Sequence, residues 1–255
     1  MSIRLSDEYE EAFGRMLAEL DQKPDVACEP MSACWPIIGH EYQGDLLVIS
    51  QAPNGWEGKL DVHQLKYPEY RNRVVKKARA VAESGICNLA TRCPMLWVTD
   101  QWKGTRQAPS TGKSSFWRVV RLVVDRLNLG DAERDNWPSA LAWSNLYKVS
   151  PKEGGNPAKN LKAAQEPAAI ALIKRELAEL APRRVLALTG LDWFTPFAEA
   201  LGLNLVKETG PVIDAYAFDG DTHWLVARHP SRLPKDLTES AFADMVAHAF
   251  WRQSA

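Results

Sequence analysis

The sequence predicts an α/β fold, a three-layer αβα sandwich around a central four-stranded parallel sheet. Three observations carry that expectation. Four short runs are apolar on successive residues, the mark of strands buried on both faces. Helical periodicity separates them. Each run ends in polar turn residues. With 255 residues, 45% of them hydrophobic, the chain can bury one substantial core. One domain over residues 1–255 is expected, with residues 1–43 as an N-terminal helical elaboration.

In chain order, the runs are 46–51 (LLVISQ), 140–146 (ALAWSNL), 184–189 (RVLALT) and 224–228 (WLVAR). A helix over 67–84 has Pro68 in its first turn and stops at Gly85. Residues 114–127 place Phe116, Val119, Val120, Val123 and Leu127 on one face. Helices at 167–180 and 192–201 follow, the second closed by Gly202. Residues 205–218 suit a short hairpin. A last helix over 237–251 carries Phe242, Met245, Val246 and Phe250 as its stripe.

Charge is balanced, 31 Lys+Arg against 32 Asp+Glu, so the net value of −1 does not advertise a polyanion partner. A local basic face would still suffice for phosphate contacts. No apolar run reaches membrane-spanning length, and the opening segment is acidic and helical rather than secretory. Four cysteines do not form a disulfide framework in a chain of this size, which suits a reducing cytoplasm. The 10 Trp serve either as core mass or as flat surfaces for bases or sugars.

In parallel sheets, ligands bind beyond the carboxyl ends of the strands. There the first run leads into Gln51-Ala52-Pro53-Asn54-Gly55-Trp56. The second leads into Asn145-Leu146-Tyr147-Lys148, and the fourth into His229-Pro230-Ser231-Arg232-Leu233. Singly, these are ordinary turn and capping residues. Together and in this order they resemble the uracil-DNA glycosylase superfamily over roughly residues 44–250. That superfamily opens with a strand and a short Pro-containing, water-activating loop, similar to QAPNG. It continues with a strand ending in a base-reading Asn, similar to Asn145, and closes with a strand running into His-Pro-Ser.

The resemblance implies a monofunctional DNA glycosylase that flips out a pyrimidine and hydrolyses its N-glycosidic bond, leaving an abasic site. His229 would donate to the base carbonyl, Asn145 would read the pairing edge, and Gln51 would help hold the water. Ala52, Pro53, Asn54, Gly55 and Trp56 would line the pocket with Asn145. Ser231, Arg232, Leu233, Lys148 and Lys152 would contact DNA, with Leu233 as an apolar wedge. Lys159 and Lys162 would extend the basic rim. DNA is the expected partner of a monomeric protein. The base is either uracil or a C5-modified pyrimidine, such as modified cytosine in phage DNA. Asn54 and Gly55 are small where uracil-strict relatives carry Tyr.

Two features depart from the family. Ala52 stands where many members have Asp or Asn to orient the water, which leaves Gln51, a backbone carbonyl, Glu57 or Asp61 for that task. A non-catalytic nucleic-acid-binding module of the same fold is therefore the alternative. The cysteines form the pairs Cys28/Cys34 and Cys87/Cys93, but the spacing of the iron–sulfur branch fails, because Val149 stands where a ligand belongs. No cofactor is expected; a regrouped cluster or zinc site is the alternative to buried free thiols. Gly112-Lys113-Ser114 lacks the upstream glycine and strand of a phosphate loop and is read as a helix start.

Overall fold

The computed structural model describes residues 3–21, 30–53, 59–84, 93–104 and 110–252. The chain begins with α1 (Asp7–Asp21), β1 (Met31–Ala33), β2 (Ile37–Ile38), β3 (Leu46–Ser50) and α2 (Pro68–Ser84). Next come α3 (Trp97–Asp100), α4 (Ser115–Arg126), β4 (Ala142–Asn145), β5 (Val149–Pro151) and α5 (Lys159–Leu180). It closes with β6 (Arg184–Ala187), α6 (Leu191–Leu201), β7 (Val206–Lys207), β8 (Ile213–Asp219), β9 (Thr222–Ala227) and α7 (Glu239–Arg252).

The four apolar runs are adjacent parallel strands in the order β4-β3-β6-β9. Every residue of β3 is buried, so its side chains face protein on both sides of the sheet. Burying each Leu, Ile or Val there contributes about 1.5–3 kcal/mol before entropy is counted. The sheet is wider than its parallel centre. Strand β2 adds antiparallel to β4, and β8 and β7 extend the other edge antiparallel, giving a seven-stranded mixed sheet. A separate two-stranded ladder pairs β1 with β5. The expected hairpin is present as β7–β8. A second one, β8–β9, turns through Gly220, which takes φ +55°; Asp219-Gly220 between two apolar runs is its sequence signal.

Helix α4 packs with α7, while α1 packs with α5 and α2, and α6 packs against α5. Helix α4 of the β3–β4 connection and α5 of the β4–β6 connection fall in different groups, as right-handed crossovers in opposite directions along a sheet require. This arrangement matches an α/β sandwich. Helix α5 is longer than its sequence pattern implies. It starts at Lys159 and carries Pro167 internally, at the cost of one backbone hydrogen bond. No helix among the described residues is long and apolar enough to cross a membrane.

One buried polar cluster joins three of these elements. Lys148 and Glu176 are fully buried and paired at 2.6 Å. Glu176 accepts from Tyr9 Oη at 2.7 Å and from Ser144 Oγ at 2.6 Å. Lys148 Nζ also donates to Ser144 Oγ at 2.8 Å and to the Asn145 carbonyl at 2.6 Å. Lys148 therefore does not sit on a DNA-facing rim, as the sequence suggested. Its ammonium lies in the core, held by a carboxylate, a hydroxyl and a carbonyl.

Removing one partner of such a pair strands the other charge. We expect Lys148→Met to lose about 3–5 kcal/mol of folding stability. Lys148→Met with Glu176→Gln should recover part of that, because glutamine is neutral and still bonds Tyr9 and Ser144. Urea denaturation of the three proteins checks this; a double variant no more stable than Lys148→Met would contradict it.

Candidate functional site at the carboxyl edge of the sheet

Parallel register brings the sequence motifs to one edge. Ser50 pairs with Asn145, Ile49 with Ala187, and Ala187 with Val226. Gln51, Asn145, Thr189 and His229 thus follow neighbouring strands at the same end of the sheet.

Asn145 is only 1% exposed. Trp143 Nε1, which can only donate, bonds Ser50 Oγ at 3.2 Å. Ser50 Oγ in turn donates to Asn145 Oδ1 at 2.5 Å. The Ser50 hydroxyl also lies 3.3 Å from the Ser144 carbonyl, and Asn145 Nδ2 donates to Cys34 Sγ at 3.3 Å. One amide hydrogen and one oxygen lone pair remain beyond these two bonds. The backbone beneath is clamped. Lys148 Nζ holds the Asn145 carbonyl, and Gln165 Oε1 accepts from the amides of Lys148 and Val149, both at 3.0 Å. Cys34 is a buried thiol, and burial raises its pKa to about 12, so it stays protonated.

The first motif is held as firmly. Gln51 is buried, and its Nε2 donates to the Thr189 carbonyl at 2.8 Å. Its Oε1 accepts from Asn156 Nδ2 at 3.4 Å. Ala52 is half-buried and Pro53 is buried. The Pro53 carbonyl accepts from Ser150 Oγ at 2.5 Å. Asn54, Gly55, Trp56 and Glu57 lie outside the described residues. Asp61 caps the turn Val62–Gln64, accepting from the His63 amide and from Gln64 Nε2. Its carboxylate is therefore occupied locally.

His229 begins the short 3-10 turn Pro230–Arg232. Its Nδ1 accepts from the Ser231 amide at 3.2 Å and contacts Ser231 Oγ at 2.8 Å. An acceptor Nδ1 places the proton of the neutral ring on Nε2. Burial and then the Arg232 charge lower the His229 pKa, which favours that neutral form. The ring stacks on Phe116, with centroids 6.1 Å apart and planes 25° apart. Phe116 meets Trp117 at 5.0 Å, and Trp117 meets Trp143 at 5.3 Å. Packed aromatics therefore run from His229 to the Trp143 indole, which bonds the same Ser50 hydroxyl as Asn145.

The surrounding loop is mixed in character. Arg232 and Ser231 are exposed, although the Ser231 hydroxyl serves His229. Leu233 is half-buried and packs on the core edge. Lys152 is half-buried; Lys162 lies 4.3 Å over the Trp193 ring. Of the cysteines, Cys34 and Cys93 are buried free thiols, and Cys93 Sγ accepts from the His40 amide. Cys28 and Cys87 lie outside the described residues. Among the described residues no three His, Cys, Asp or Glu side chains group as a metal site.

Sequence reasoning missed Ser50, Trp143 and Asn156; it read Cys34 as a buried thiol and Phe116 as part of an apolar stripe without placing either beside the site. Glu176 left a readable signal: an acid amid Leu172, Ile173 and Leu180 on the buried face of α5. No protein-family model matches this chain, and no curated protein does.

His229 should titrate below the ordinary histidine value of about 6.5, and Arg232→Ala should raise its pKa by removing the like charge. Because the folded pKa is depressed, the unfolded state binds the proton first on acidification. The His229 contribution to stability is thus intact above about pH 6.5 and is lost as pH falls toward the folded pKa. Imidazole proton NMR of wild type and the Arg232 variant checks this; titration at or above 6.5 in the wild type would contradict it.

Proposed function

We propose that this chain is a monofunctional DNA glycosylase of the uracil-DNA glycosylase type. It takes a flipped pyrimidine, uracil or a C5-modified base such as modified cytosine, and hydrolyses its N-glycosidic bond. The observation that carries this reading is the neutral His229, with its proton on Nε2, at the same sheet edge as Asn145 and Gln51.

Breaking the bond between C1′ and the base nitrogen leaves positive charge on the sugar and negative charge on the base. A neutral Nε2–H beside the base carbonyl stabilises that anion in a water-poor site. Water adds to C1′, its proton is released to solvent, and the base anion is protonated in turn. Asn145 supports recognition through its remaining amide hydrogen and lone pair. Lys148 is committed to Glu176, Ser144 and Asn145, so it is not a Schiff-base nucleophile. Exposed Arg232 supplies a phosphate contact, and Leu233 enters the gap left by the flipped base.

A second reading has its own supporting observations. Ala52 offers no side-chain polar atom, and half of the Asn145 amide is spent inside the protein. Both suit a module that binds DNA without cutting it.

Incubation with duplexes carrying uracil, mismatched thymine or C5-modified cytosine, followed by alkaline cleavage, separates the two. Excision of at least one pyrimidine is expected. His229→Ala should lower the single-turnover rate about 100–1,000-fold while leaving DNA affinity largely intact. Binding without strand cleavage on any substrate would favour the second reading.

A further inference from the structure

The segment after β5 folds back over the first motif. Ser150 Oγ bonds the Pro53 carbonyl, and Asn156 Nδ2 bonds Gln51 Oε1 at 3.4 Å. The segment is anchored at its root, where Gln165 accepts from the Lys148 and Val149 amides and donates to the Val149 carbonyl. Between root and tip the chain turns through Gly154 and Gly155, at φ +100° and +94°. Residues with side chains rarely adopt such angles. The turn sets Asn156 beside Gln51, with buried Pro157 following it.

The polar groups of the described part of the first motif, Gln51 to Pro53, are largely held. The Pro53 carbonyl accepts from Ser150, and the Gln51 carbonyl accepts from the Tyr147 amide. Gln51 Nε2 is committed to Thr189, and each Asp61 carboxylate oxygen accepts one bond from its own turn. Among the described residues, two carboxamide oxygens in contact with each other here keep accepting capacity. Gln51 Oε1 has a second lone pair, and Asn156 Oδ1 is on an exposed side chain already in contact with Gln51. Two carbonyl-type acceptors on adjacent side chains can share the two hydrogens of one water molecule, leaving its oxygen lone pair directed outward.

We propose that Asn156 is a catalytic residue that, with Gln51, holds the attacking water and so supplies from another loop what Ala52 lacks. The inference rests on the glycosylase reading above. In the reaction, the water oxygen forms the new bond to C1′ as the bond to the base nitrogen breaks, and the electron pair leaves with the base. The carboxamides take no proton. They orient the water, and its proton passes to solvent after addition.

The test uses the whole protein and two duplex probes, one with a single deoxyuridine and one with a single 5-hydroxymethyl-deoxycytidine. Asn156→Ala should slow single-turnover excision about 10–100-fold, the scale of a displaced reactant, with duplex affinity and thermal melting unchanged. Asn156→Asp should keep excision at neutral pH. Beyond any acidic fall that the wild type shows as His229 protonates, this variant should show a further loss as the new carboxylate protonates near pH 4. A residue that merely braces the loop gives no such further loss. Wild-type excision with an unaffected Asn156→Ala rate, or an Asn156→Asp pH profile identical to wild type, overturns the role of Asn156 alone. Absence of excision by the wild-type protein on both probes overturns the glycosylase reading and this inference together.

Discussion

The ion pair of Lys148 and Glu176 is the constraint on which the rest depends. Two charges in a dry core are tolerated only where each is fully bonded. Meeting that condition fixes three things at once. Tyr9 must bring α1 against α5, Ser144 must present its hydroxyl at the end of β4, and the Asn145 carbonyl must point at the ammonium. Ser6 adds a second tie between the start of α1 and α5, through Glu179. The N-terminal helix is thereby part of what sets the backbone beneath Asn145.

Above that foundation, the edge of the sheet separates two kinds of polar group. Asn145 and Gln51 are rigid, each spending part of its amide on the protein itself. His229 lies on a short turn, oriented by Ser231 on one nitrogen and by the face of Phe116. Such a ring, when neutral, keeps its proton on Nε2. The aromatic run from Phe116 through Trp117 to Trp143 fills the space between these two parts of the site with stiff side chains that have few rotamers. Displacing one end would therefore require repacking the other.

Much of the fold was legible in the sequence because strands buried on both faces read as unbroken apolar runs. The helices between them were legible from their stripes, usually to within a residue or two. The edges of the sheet were harder. Strand β2 has two residues and β7 has two, too few for any periodicity to register. Helix α5 began eight residues before its expected start, because Pro167 reads locally as a first-turn residue but is here carried in the helix interior. At the site, the order of Gln51, Asn145 and His229 was legible as a motif. Lys148 was misread because a lysine after a strand looks like a surface cation, and its partner lies 28 positions away on another helix. Asn156 was invisible for the same reason. Its meaning comes from a loop that returns to the first motif, and no local pattern encodes that return.

In the proposed reading, a nucleotide docks at this edge of the sheet with Nε2 of His229 against the base. Nitrogen-15 NMR of the histidine rings measures it directly, with a duplex carrying 2′-fluoro-deoxyuridine, whose electron-withdrawing fluorine resists bond cleavage. Saturating duplex should move the His229 Nε2 resonance while Nδ1, held by Ser231, stays near its free-protein position. A duplex that binds and leaves both nitrogens of His229 unmoved would contradict the account.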